Sequence, residues 1–482
     1  MVSILALAKR TVKSAVNIKL HRTFYRLRNA ELFITAGRQI TCLAAIWGGC
    51  SMVCSASADP PASSGIFGLT ITVSAPRHAC HNAIVTVPLQ PEQALYSEPR
   101  MRLGIVPAGH TVKLGKKINE VDGIHAQVTR QDDKFSLTFL IDDLPQGTTR
   151  KYRFREPPIG RKSEIPVKIF VRAHGEAMDM LIAHNEKGVQ DAKLFTRYTT
   201  HSGPNKPFFY PILTPDGQAM TRRWPMEPDA KDSHEHPHHR GLWFTHGDIN
   251  GIDFWSEQED PKVKLGKTIA KGFENARDGS VFGSFRTRTE WRAPDNKLMA
   301  TDVRDVRVYT IGDDRILDFE VTIKPEGEPL VWGDTKEGMF GLRVPDALAP
   351  NPDKSAHLDA PTGHIESASG LKDAAVWGKP NAWVDYYGPI GGKTYGVAIF
   401  DNPQNLRHPE TWHARDYGLF TVNPFGLHDF KLGEKGAGAY TQPADQTLTF
   451  RYRLLFHAGD TTSAHVAEQY QNYSDPPQVI VK

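Results

Sequence analysis

The sequence predicts an all-β protein, with a small N-terminal immunoglobulin-like β-sandwich followed by a large antiparallel β-sandwich. Three observations carry this. Apolar and polar residues alternate with a period of two along most of the chain, Gly/Asp/Pro turns separate these runs, and a helical period appears only near the C-terminus.

The first 58 residues read differently from the rest. Lys9, Arg10, Lys13, Lys19, Arg22, Arg26, Arg28 and Arg38 precede an apolar run, "ITCLAAIWGGCSMVC" (40–54), and then "SASADPP". A basic region, a short apolar region and small residues in that order make a secretory leader, cut most simply after Ala58. The run is shorter than the ~20 residues of a spanning helix and contains two glycines, so the expectation is export to the periplasm or medium, with no membrane span in the mature chain. Cleavage would leave Cys80 as the single cysteine and no internal disulfide.

Strands follow in order. "AIVTVPL" (83–89), "FSLTFLI" (135–141) and "RKYRFRE" (150–156) belong to a first domain, 59–158, of the size of an immunoglobulin-like sandwich. "REPPIGRKSEIP" (155–166) is rich in Pro, Gly and charge and reads as the boundary. In the second domain, 165–476, "VKIFVRA", "VFGSFRTRTEW", "YGVAIF" and "YGLFTV" are strands, and "VRVYTI" (306–311) and "ILDFEVTI" (316–323) form a hairpin across Gly312, Asp313 and Asp314. In "TLTFRYRLLF" (447–456), Leu448, Phe450, Tyr452, Leu454 and Phe456 share one face. The helix comes near the end, where Thr462 can cap a segment carrying Val466, Tyr470 and Tyr473 on one side.

The formal charge of +3 includes the basic leader, so the rest is close to neutral and presents no basic stripe for nucleic acid. Chemistry concentrates in four stretches: 206–225, 233–257, 332–344 and 405–429. Five of the 20 histidines, His234, His236, His238, His239 and His246, stand in the second of these. If "HRGLWFTH" (239–246) is a strand, Arg240, Leu242, Phe244 and His246 share a face, and Arg240 and His246 look into one cleft. Three readings of the histidines stay open: metal ligation by His236, His238 and His239, acid–base catalysis beside a carboxylate, or hydrogen bonding in a polar loop packed on tryptophans. The metal spacing matches no well-defined signature, and no cofactor is expected.

"HPHHRGLWFTHGDINGIDFW", "DTKEGMFGLRV", "WVDYYGPIGGKTYGVAIFDNP" and "HPETWHARDYGLFTVNPFG", in that order, resemble the exported bacterial family labelled PmoA-like or methane oxygenase, over residues 165–476. The resemblance implies a galactose-mutarotase-like supersandwich, a fold that hosts sugar epimerases, polysaccharide lyases and glycosidases. The label itself is at odds with the sequence, because a true particulate methane monooxygenase subunit of that name is a bundle of membrane-spanning helices.

The residue types favour a carbohydrate or glycoside partner. Trp243 and Trp412 offer flat faces for pyranose stacking, and Arg240, Asp248, Arg415 and Asn423 offer hydrogen bonds to hydroxyls and carboxylates. His246, Glu337 and His413 are the acid–base candidates, Glu337 because a glycine follows it and lets a ligand or backbone approach. The expected function is therefore an exported carbohydrate-active enzyme, a hydrolase, lyase or epimerase. A non-catalytic glycan-binding module is the alternative, and a metal-dependent oxygenase a second.

Overall fold

In a computed structural model of the chain the alternating runs pair into antiparallel sheets, and the fold is all-β as expected. The structure describes residues 69–94, 103–107, 124–155, 167–184, 189–200, 205–228, 230–356 and 363–482. The leader and nearly all of the expected boundary at 155–166 lie outside the described residues.

A seven-stranded sheet is built by Cys80–Leu89, Lys134–Leu144, Ile124–Gln131, Leu103–Pro107, Thr149–Arg155, Thr70–Ser74 and Gln478–Val481, in that spatial order. It curls on itself. Phe139 and Tyr152 stand on strands three places apart, ~14 Å in a flat sheet, yet their ring centroids are 5.8 Å apart. The curl encloses a separate core that includes Ile71, Val73, Val85, Leu137, Phe139, Ile141 and Tyr152. The edge strand Gln478–Val481 comes from the far end of the chain and pairs with Thr70–Ser74, a closure that no local pattern announces.

The larger part is two eight-stranded sheets packed face to face. One contains Lys267–Arg277, Phe282–Arg292, Leu298–Ile311, Asp314–Pro325, Leu448–Ala458, Lys393–Asp401, Trp383–Ile390 and His364–Ser367. The expected hairpin is there, with Gly312 at φ 58° in its turn. Phe450, Tyr452, Leu454 and Phe456 point into the shared core as their alternation requires, and each such buried side chain contributes about 1.5–3 kcal/mol.

The other sheet carries the site. Its strands in chain order are β1 (Val167–His174), β2 (Ala177–His184), β3 (Lys193–Thr199), β4 (Phe208–Ile212), β5 (Leu242–His246), β6 (Gly338–Arg343), β7 (Thr411–Ala414) and β8 (Leu419–Asn423). Their spatial order is β7-β8-β6-β5-β4-β3-β2-β1.

The late helix spans Val466–Ser474, with His465 rather than Thr462 at its N-cap, because Asp460 and Ser463 bond each other in a preceding turn. Val466, Tyr470 and Tyr473 do share its packed side. Asn472 donates Nδ2 to the His81 carbonyl at 2.7 Å, Gln127 bonds Val281 and Phe282, and Arg286 pairs with Asp132, so side chains tie the curled sheet to the sandwich at several points.

Candidate functional site

β5 decides which face each candidate occupies. Gly241 sits at φ 53°, and a Cβ there would lie 2.0 Å from the Phe209 carbonyl oxygen, so the strand starts only at Leu242. Leu242, Phe244 and His246 then point inward, into the core between the sheets, and Trp243 points outward. Arg240, before the break, leaves the alternation and pairs through Nε with Glu257 Oε2 at 2.8 Å.

The expected common cleft of Arg240 and His246 is therefore corrected. His246 is fully buried, its ring 5.7 Å from Trp332 and 5.2 Å from Phe425. Its Nε2 donates to the Gly333 carbonyl at 2.9 Å, and burial pulls its pKa down to about 4. It is a neutral core histidine with no route to a substrate.

Other expected site residues are also structural. Trp412 is 0% exposed and donates Nε1 to the Asn381 carbonyl, and Trp243 is 2% exposed beneath His239 and Trp255, so neither offers a free face. Asp248 accepts the Gly251 N–H in a turn. Asn423 is buried, donating to the Thr335 carbonyl and accepting from the Phe425 N–H.

The outward face gathers the rest. The segment before β5 is folded around Arg222, whose buried guanidinium donates to the carbonyls of Trp224, Ser233, Glu235 and His236. Asp346 holds the same segment by accepting the Ser233 N–H and hydroxyl, both at 2.7 Å. Thus fixed, its imidazoles stack: Tyr417 on His236 at 5.3 Å, His236 on His239 at 4.8 Å, and His239 on Trp243 at 5.5 Å, every pair within 20° of parallel. His238 stands edge-on to His239 at 4.4 Å.

Beside this column lies Arg343 of β6, fully buried, ion-paired to Glu235 and 5.0 Å from the Tyr417 ring centre. On its other side lie Arg240, Glu257 and the buried Lys206, whose Nζ is 2.8 Å from Glu257.

Glu337, His413 and Arg415 reach the same face. His413 alternates with the inward Trp412 and Ala414, so it points outward, and its Nδ1 donates to the Lys336 carbonyl at 3.2 Å. Burial lowers its pKa to about 3, leaving a neutral imidazole at ordinary pH. The Glu337 side chain is 34% exposed beside Lys336 Nζ at 2.9 Å. Its charge is felt by both His236 and Tyr417. Arg415 lies 5.4 Å from the Tyr417 ring centre and 5.9 Å from that of the half-buried Trp377. Burial raises the Tyr417 phenol to about 12.

The arrangement therefore offers an accessible carboxylate, a guanidinium between two aromatic rings, and neutral imidazoles. Of the expected residues it brings together Glu337, His413 and Arg415, while Arg240 pairs with Glu257 beyond the histidine column. Sequence reasoning missed Trp377, Tyr417, Arg343 and Glu235. Tyr417 shared its stretch with the expected Arg415, whereas Trp377 stands in a turn with no periodicity to mark it.

A family model described as a family of unknown function (DUF6807) matches residues 188–471. No curated protein matches. Among solved structures, an alpha-mannosidase from Enterococcus faecalis V583 is similar with a TM-score of 0.36 and 10% identity, over 87% of this chain and 47% of that one. A protein in the glycosyl hydrolase family 38 from Enterococcus faecalis is similar with a TM-score of 0.34 and 10% identity, over 86% and 48%. The chain spans about half the length of each.

Proposed function

The chain belongs to the DUF6807 family, whose description names no reaction, and we propose from the site itself that it is a carbohydrate-active enzyme working by acid–base chemistry at the outward face of the site sheet. The observation that carries this is the meeting of Glu337, His413 and Arg415 beside Trp377 and Tyr417, brought from separate stretches of chain to one face. A partly exposed carboxylate can carry a proton to or from a glycosidic or ring oxygen. Trp377 supplies an apolar plane for the sugar ring, and Arg415 donors for its hydroxyl or carboxylate groups.

In this reading Glu337 is the catalytic residue. His413 is a positioning residue that grips the Lys336 carbonyl next to it. Arg240 orders the neighbouring Glu257. The PmoA-like label read from the motifs gives no ground for oxygen chemistry, and the mutarotase-type supersandwich remains a proposal for the topology. Export is likewise proposed from the composition of residues 1–58. N-terminal sequencing of secreted protein should find a start at or near Asp59, and an intact leader there removes the proposal.

The test is turnover on a panel of glycosides and uronic-acid-containing oligosaccharides. Glu337→Gln should lower kcat by about 100-fold or more while leaving thermal stability within about 0.5 kcal/mol, and Trp377→Ala should act mainly on KM. Binding without turnover, unchanged by Glu337→Gln, would make the protein a glycan-binding module. No binding to any carbohydrate would sink the reading.

A further inference from the structure

The histidine column does more than fill space. Among the described residues, His236, His238 and His239 each offer one ring nitrogen, and these nitrogens lie within 4.8 Å of one another. They grade from exposed to intermediate to buried, so the cluster has a floor and an open mouth. The Nδ1 atoms of His238 and His239 are buried and have no hydrogen-bond partner among the described residues. Leaving a buried polar atom unsatisfied costs about 1–3 kcal/mol, and two on adjacent histidines need a reason.

We propose that His236, His238 and His239 form a binding site for one divalent transition-metal ion of the zinc type, with the remaining coordination positions open toward solvent on the Glu337 side.

Three neutral imidazoles are a donor set suited to zinc, copper, nickel or iron, and three protein ligands with an open position characterise reactive rather than structural sites. Nitrogens on one tetrahedral ion stand roughly 3.4 Å apart at Zn–N of ~2.1 Å, so closing the set asks for shifts on the order of 1 Å.

His236 supplies most of that movement. It is the exposed member, stacked on His239 at 4.8 Å, and it has to turn out of the stack to aim its lone pair at the same point as His238. The backbone beneath stays fixed, because Arg222 and Asp346 hold its carbonyls and amides. Glu235, with one buried carboxylate oxygen free of hydrogen-bond partners among the described residues, places negative charge next to His236 and offsets part of the cationic surroundings of Lys206, Arg222, Arg240 and Arg343.

The inference stands on the loop and not on the sugar reading, so binding is measured directly. Full-length protein without a histidine tag is stripped with a chelator, given Zn2+, passed through a desalting column and analysed for metal. Affinity is then read by competition with a chromophoric chelator. About one Zn2+ per chain is expected, together with a Co2+ visible spectrum of a low-symmetry nitrogen site. His236→Ala and His238→Ala should each weaken Zn2+ by more than about 10-fold. His236 is exposed, so its variant remains folded. Failure of the wild type to retain Zn2+, or equal retention by both variants, overturns the proposal. Retained Zn2+ with no carbohydrate activity leaves the metal site standing and removes only the sugar reading, and the reverse result removes only the metal site.

Discussion

A buried neutral histidine makes stability depend on pH in a fixed direction. His246 and His413 have folded pKa values of about 4 and about 3, below the ~6.5 of the unfolded chain. Their contribution is fully present above pH ~6.5 and is lost as pH falls toward the folded values, because the unfolded chain takes up the protons first. At pH 5 each group should have cost about 2 kcal/mol relative to pH 7. Unfolding free energies of wild type and His413→Asn from urea titrations should therefore differ by about 2 kcal/mol less at pH 5 than at pH 7; parallel pH profiles would show that His413 is not buried uncharged. The same residues mark what was legible in the sequence. The alternation Leu242, Phe244, His246 was plain, but alternation does not say which of two faces meets a second sheet. That choice depends on partners far away in sequence, such as Phe319 and Phe450, which pack on Phe244. His413 and Arg415 were recognisable by type, whereas Trp377 was not.

Within the elements, one glycine sets the geometry of the whole face. Gly241 separates the Arg222-centred segment from β5 and passes against the Phe209 carbonyl. Gly241→Ala should destabilise the protein by about 3 kcal/mol, from the left-handed backbone and the displaced β4. Thermal denaturation reads this, and loss of the paired amide protection at Phe209 and Leu242 locates it. A substitution that left the melting temperature unchanged would mean that β4 and β5 can part without cost. Strands and hairpins were readable because turn chemistry and period two are local. The start of β5 was not, since nothing in "HRGLWFTH" shows that a neighbouring carbonyl lies where a side chain would be.

At the scale of the molecule the outermost strand of the curled sheet is the feature with the widest reach. Terminating the chain after Pro476 removes Gln478–Val481 and uncovers Thr70–Ser74 along its length. Such a chain should lose amide protection at Thr70–Ser74 and be cut sooner by protease within 69–155, while the core between the eight-stranded sheets melts as before. Unchanged protection would show that the edge strand is dispensable. During synthesis the same dependence becomes one of time. At ~5–20 residues per second, the partner of Thr70–Ser74 emerges roughly 20–80 s after it. For that interval the nascent chain carries an open β-edge, and the alternating threonines and serine of "TITVS" are a local defence against pairing with a neighbour on the same messenger. Prematurely ended chains never leave that state, so the late strand separates finished molecules from unfinished ones by their tendency to aggregate.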